Sequence, residues 1–117
     1  MDSDDVHPEA AVVVGVDARM PAGAVLRITL DDTSRADAPA EVLASRVIEP
    51  IEHLPARFTL RYDPGRVVHT HPYAVRATVS VGDMLAFTTD TSYAVITRGA
   101  PSKVDVRLVP VGRWREG

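Results

Sequence analysis

The sequence predicts an all-β domain, a single antiparallel β-sandwich of about seven to eight strands. Period-two alternation is the first observation behind this. In Tyr73-Ala-Val-Arg-Ala-Thr-Val-Ser-Val81, residues Tyr73, Val75, Ala77, Val79 and Val81 face one way while Arg76, Thr78 and Ser80 face the other. The pattern returns at Leu26–Leu30, Phe58–Tyr62 and Val104–Leu108, which is the second observation. The third is that turn signals separate such runs every eight to fifteen residues, the spacing of a sandwich or barrel.

Taken in order, residues 1–9 are acidic, contain Pro8 and offer almost nothing to bury, so they read as a disordered tail. The domain proper spans 10–110. A first strand runs over 11–19, its apolar stretch suiting burial on both faces. Met20-Pro-Ala-Gly23 is a turn, since proline presets the first bend and glycine accepts positive φ. A second strand covers 24–31, and residues 32–39, rich in side chains that bond their own backbone, form a loop. Residues 40–48 fit neither period cleanly, so a strand or a short helix is open, and the strand is favoured. Pro50 and Pro55 bracket a connection to a fourth strand over 57–62, which Asp63-Pro-Gly65 ends. An irregular link, 67–72, precedes strand 73–81. Gly82-Asp83 then makes a two-residue hairpin to strand 84–90. A short strand over 93–97, a turn at 98–101 and a last strand over 103–109 follow, with Pro110 as the stop and 111–117 as a tail.

Composition excludes several chemistries. There is no cysteine, so disulfides, thiolate metal sites and cysteine nucleophiles are ruled out. Aromatic residues are only 5%, so the core must be built from Val, Leu, Ile and Ala. The net charge is −3, and Asp2, Asp4, Asp5 and Glu9 alone contribute −4, leaving a nearly neutral body of about +1. Its arginines are dispersed among carboxylates, which predicts no nucleic-acid footprint. The longest apolar run, Ala10–Val16, is too short to span a bilayer, so no direct membrane insertion is expected.

Few residues carry chemistry. His69-Thr-His71 would share a face on a strand and hold a metal with His53 or His7, although a polar loop before Pro72 explains both imidazoles as well. Asp31, Asp32 and Asp90 form a carboxylate set for acid–base work only if the fold gathers them; each stands where an apolar run stops, as turn residues do. No serine lies in a nucleophile elbow, and there is neither a phosphate loop nor a dinucleotide fingerprint. The reading is therefore of a non-enzyme without a cofactor. Tyr62, Tyr73, Tyr93, Phe58 and Phe87 lie on strands and read as packing. Trp114, between two arginines, is the one ring suited to a contact.

The run from Met20 to Ala40, with its Leu30-Asp-Asp-Thr-Ser-Arg-Ala-Asp37 segment, resembles the YbaY/YscW family of bacterial lipoproteins, which includes type III secretion pilotins. The likeness continues through Phe58–Pro64, Tyr73–Ala77, Phe87–Val95 and Thr97–Pro101, covering roughly residues 12–109. The resemblance implies a compact β-sandwich without enzymatic activity, and a chaperone role toward an outer-membrane secretin in some members. The family's signal peptide and lipid-bearing cysteine have no counterpart here. The expected location is cytoplasmic as written, or the cell envelope if an export segment has been removed.

Together these readings predict a protein-binding, chaperone-like module with an unknown protein partner. Its contact surface is expected on the loops 32–39 and 88–93, at Asp32, Ser34, Arg35, Asp37, Thr89 and Asp90, with Trp114 from the tail. The alternative is a small-molecule or metal-binding module using His69 and His71.

Overall fold

The computed structural model describes residues 10–35, 37–49 and 54–111, so the two predicted tails, His7, His53 and Trp114 lie outside the described residues. Nine strands are present among the described residues: β1 (Ala10–Val16), β2 (Val25–Asp32), β3 (Glu41–Ile48), β4 (Ala56–Tyr62), β5 (Tyr73–Val81), β6 (Met84–Thr89), β7 (Tyr93–Val95), β8 (Lys103–Val106) and β9 (Leu108–Pro110). The only other regular element described is a single 3₁₀ turn, Pro64–Arg66, capped by Asp63, whose carboxylate accepts from the Gly65 amide.

The strands form two sheets. A small one has the order β4-β1-β8; a large one has β3-β2-β5-β6-β9, with β7 also on β5. The alternation read from sequence decides which side chains lie between them. Leu26, Ile28 and Leu30 of β2 and Tyr73, Val75, Ala77 and Val79 of β5 are buried on the inner face, against Val12, Val14 and Val16 of β1 and Leu60 of β4. Aliphatic residues fill most of this core, as the scarcity of rings requires. The rings Phe58, Tyr62, Phe87 and Tyr93 pack at its margin, while Tyr73 is fully enclosed.

Three departures from the sequence reading have physical causes. First, one strand pair is parallel: β1 runs alongside β8, with Val14 opposite Val104, because the chain enters the small sheet last, from the far end. Second, the last strand is two. After Val106 the chain crosses from the small sheet to the large one at Arg107, and Leu108–Pro110 pairs with β6. Pro110 sits opposite Phe87 as the final residue of β9, an edge position where its missing N–H costs nothing. Third, the strand near Tyr93 stops at Val95, since Ile96 takes φ 63° and Arg98 φ 60°, both left-handed.

The mixed periodicity of 40–48 also has a cause. Between Leu30 and Asp31 the β2–β3 register slips, so that Leu30 faces Ala44 and Asp31 faces Val42, and Leu43 is the extra residue of a bulge. The predicted hairpin is present, with Val81 paired to Met84 and Gly82 at φ 62°, where glycine avoids the strain of a side chain.

The chain passes between the sheets on both long sides of the sandwich, since β3 of the large sheet leads into β4 of the small one. On one side, the passage is at Arg107. On the other, β3 and β4 are also bridged by Arg46, whose Nη1 donates to the Thr59 carbonyl at 3.0 Å and whose guanidinium carbon lies 5.7 Å from the Phe58 ring centre.

Candidate functional site

Residues that alternate away from the core on β2 and β5 form the outer face of the large sheet. The register sets Arg27 opposite Thr78, Thr29 opposite Arg76 and Asp31 opposite Ala74. On the other side of β2, Val47, Ser45 and Val42 continue the same three rows. Two hollows open on this face and share Asp31, Ala40 and Arg76. One, about 420 Å³, extends over Arg27, Thr29, Pro39, Val42 and Thr78. The other, about 450 Å³, extends toward Thr33, Ala74, Thr91 and Ser92. The loops after β2 and after β6, far apart in sequence, therefore flank one groove.

Asp31 is the unusual residue at its floor. It is only 8% exposed, and its Oδ1 has no hydrogen-bond partner among the described residues. Burial pushes its carboxyl above the usual carboxylate range; a Thr29 hydrogen bond and the charges of Arg76 and Arg27 pull only part of the way back. Both arginines are exposed.

Beside this groove, Asp32 points elsewhere, as successive strand residues must. Its Oδ2 lies 2.8 Å from His71 Nδ1, and its Oδ1 accepts from the Ser34 amide at 2.9 Å. Burial raises the Asp32 carboxyl, but the hydrogen bonds from His71 and Ser34 outweigh it and hold it at about 2. The link before β5 is bound there at several points: Thr33 N–H and Oγ1 both donate to the Pro72 carbonyl, Thr97 Oγ1 donates to that of His71 at 2.6 Å, and Tyr73 Oη accepts from the Val68 amide. Asp32, Ser34, Arg35, Glu41 and His71 line a depression of about 330 Å³.

The structure thus gathers Asp32, Ser34 and Arg35 but separates them from the remaining loop candidates. Asp90 accepts from the Tyr93 hydroxyl, which also accepts from the Arg107 amide and so anchors the crossing between sheets. Thr89 pairs with Leu108 within the large sheet. Asp37 is exposed. His69 lies in a turn and His71 in the bend after it, so the strand that would have given both imidazoles one face is not formed. Among the described residues no three His, Cys, Asp or Glu side chains are gathered to hold a metal. Asp31, Asp32 and Asp90 face different surroundings, which is the arrangement of strand-end residues rather than of an acid–base pair.

Arg27, Asp31 and Arg76 as a group were missed by sequence reasoning. Alternation places each on a wet face, yet nothing in the sequence says that β2 and β5 are neighbours or that the 32–40 loop folds down beside Asp31. No helix among the described residues is long and apolar enough to cross a membrane.

Comparison with known proteins matches this architecture. Residues 7–108 fit the YscW family, described as a type III secretion system lipoprotein chaperone. The chain is 40% identical over 93 residues to the uncharacterized lipoprotein YbaY of Escherichia coli strain K12, which covers 79% of this chain and 48% of that protein. The chain therefore spans about half the length of this relative. Its fold is also similar to that of an alternative pilotin from the type II secretion system of Vibrio cholerae. The TM-score is 0.81 and the identity 34%, covering 89% of this chain and 98% of the pilotin. With a family model that spans nearly all of the sandwich, the chain belongs to the YscW family of type III secretion system lipoprotein chaperones.

Proposed function

We propose that this domain is a non-catalytic, pilotin-like module that binds a protein component of a secretion machine in the cell envelope, using the outer face of the large sheet and the loops beside it. The observation that carries this reading is the likeness to a pilotin over 98% of its solved chain, so the likeness extends across the whole of that folded unit. Two features of the groove support the choice of surface. It collects Thr33, Ala40, Thr91 and Ser92 from two separate loops, and Val42 beside it is exposed.

A photo-crosslinking amino acid placed at Ser34 or Thr91 in the native cell tests this, with Lys103 on the small sheet as the control position. We expect the first two positions to trap one discrete envelope protein of a secretion machine and Lys103 to trap none. Removing the chain from the cell should also lower the amount of assembled secretin in the outer membrane. An unchanged secretin level together with no position-specific crosslink would sink the proposal.

A further inference from the structure

We propose that the groove floor at Asp31, with Arg76 one row away and Arg27 two rows away on the same face, recognises an acidic segment of a partner protein that presents a carboxylate close to a hydrogen-bond donor. This rests on the protein-binding reading above and states the chemistry of the partner. An outward position on a sheet normally leaves a carboxylate in water, where it needs no protein partner. Asp31 is different: Ala74 lies opposite it on β5, Val42 opposite it on β3, and Ala40 lines both hollows that meet there. The result is a side chain 8% exposed with one oxygen lacking any hydrogen bond among the described residues. Such an acceptor destabilises the free domain and gains most from a donor that arrives with a ligand.

The two guanidinium groups define the other half of the recognition. Arg27 and Arg76 are diagonal neighbours across β2 and β5, since Arg27 faces Thr78 and Arg76 faces Thr29. Diagonal side chains on one face stand about 7–8 Å apart, within reach of one another for long residues. Both are exposed, and guanidinium favours carboxylate through paired N–H groups. Asp31, in the row after Arg76, is buried while both arginines are exposed, so the groove offers cations at its surface and a hydrogen-bond acceptor at its floor. Pro39, Ala40 and Val42 supply an apolar wall for the stem of an incoming side chain.

Other ligand classes fit less well. A metal ion would meet two guanidinium groups and a single carboxylate. A nucleic acid or an anionic membrane would require an extended basic surface, whereas this body is nearly neutral. A polypeptide has both required groups within a few residues.

A displayed library of random dodecamer peptides, selected on the intact domain, tests the inference. Selected peptides should carry Asp or Glu within four positions of Asn, Gln, Ser, Thr or Lys. Their affinity should fall about tenfold or more on Arg27→Glu/Arg76→Glu and on Asp31→Asn, the latter keeping the side-chain shape. Circular dichroism and melting curves would establish that the variants are folded, and amide chemical shifts should move on β2 and β5. Peptides that bind the variants and the parent equally would overturn the inference while leaving protein binding on another surface intact. Selection of basic or wholly apolar peptides, or of none, would overturn it as well. Failure of the protein-binding reading itself is read separately, from the crosslinks in the cell.

Discussion

The carboxylate of Asp32 and the imidazole of His71, 39 residues apart, meet at 2.8 Å and join the end of β2 to the link that enters β5. Asp31, its neighbour in sequence, is turned to the opposite face and left with an unpartnered oxygen. Two adjacent aspartates thus titrate in opposite directions within one fold.

For Asp32 the folded-state carboxyl is held at about 2, below the ordinary 3.8. A depressed value means stability that is present above pH 3.8 and lost as the pH falls toward 2. We expect the melting temperature of the parent to drop over that window, and that of Asp32→Asn to start lower at pH 7 and drop less. Thermal melts at half-unit intervals from pH 7 to pH 2 would check this; parallel curves would refute it.

For Asp31 the sign is reversed. Burial raises its carboxyl above 3.8, so its ionised form weakens the fold at neutral pH and protonation relieves that cost as the pH falls. Asp31→Asn should therefore gain about 1 kcal/mol at pH 7, the low end of the cost of a buried unpartnered group. The gain should shrink toward pH 4. Urea denaturation at both pH values would measure the difference.

Gly15 has a neighbour in its way. A Cβ built there would overlap Asp105 Oδ1, while the next nearest atoms are at 3.3 Å and 3.8 Å. The obstacle is the end of an exposed side chain that can turn aside. Gly15→Ala alone should change stability by less than about 1 kcal/mol, because the better strand residue offsets the displaced carboxylate. Combined with Asp105→Ser it should stabilise by about 0.5–1 kcal/mol. A double-mutant cycle in denaturant would show that coupling as non-additivity.

Arg98 is exposed at φ 60°, a region in which a side chain is strained. Glycine removes the strain, about 1–2 kcal/mol, but increases the freedom of the unfolded chain by nearly as much. Arg98→Gly should accordingly be neutral to slightly stabilising, and Arg98→Val destabilising by 1 kcal/mol or more, about the cost of a β-branched residue in that region. Equal losses in both would show that the turn is held by the arginine side chain instead.

Much of the fold was legible because alternation is local. Tyr73 to Val81 and Leu26 to Leu30 declare their buried faces within a single strand, and Gly82-Asp83 declares its turn. What was illegible depends on partners. The bulge at Leu43 blurs the pattern of β3 until β2 is beside it, and the break at Arg107 looks like ordinary alternation until the two sheets are seen to claim different halves of the run. Of the candidate site, the two loops could be named from composition, as could the polar link holding His69 and His71. The floor between those loops could not. Arg27, Asp31 and Arg76 look like unremarkable solvent-facing residues unless the pairing of β2 with β5 and the descent of the loop onto Asp31 are known.

The two margins of the sandwich are fastened by different means. At Arg107 the backbone runs through from one sheet to the other, with Tyr93 fastening it. Opposite, the chain also passes between the sheets, from β3 to β4, and the side chain of Arg46 against Thr59 and Phe58 adds a clasp that can be released without breaking a strand ladder. β3 also borders the groove, so a segment seated over Val42 would lie along the clasped margin.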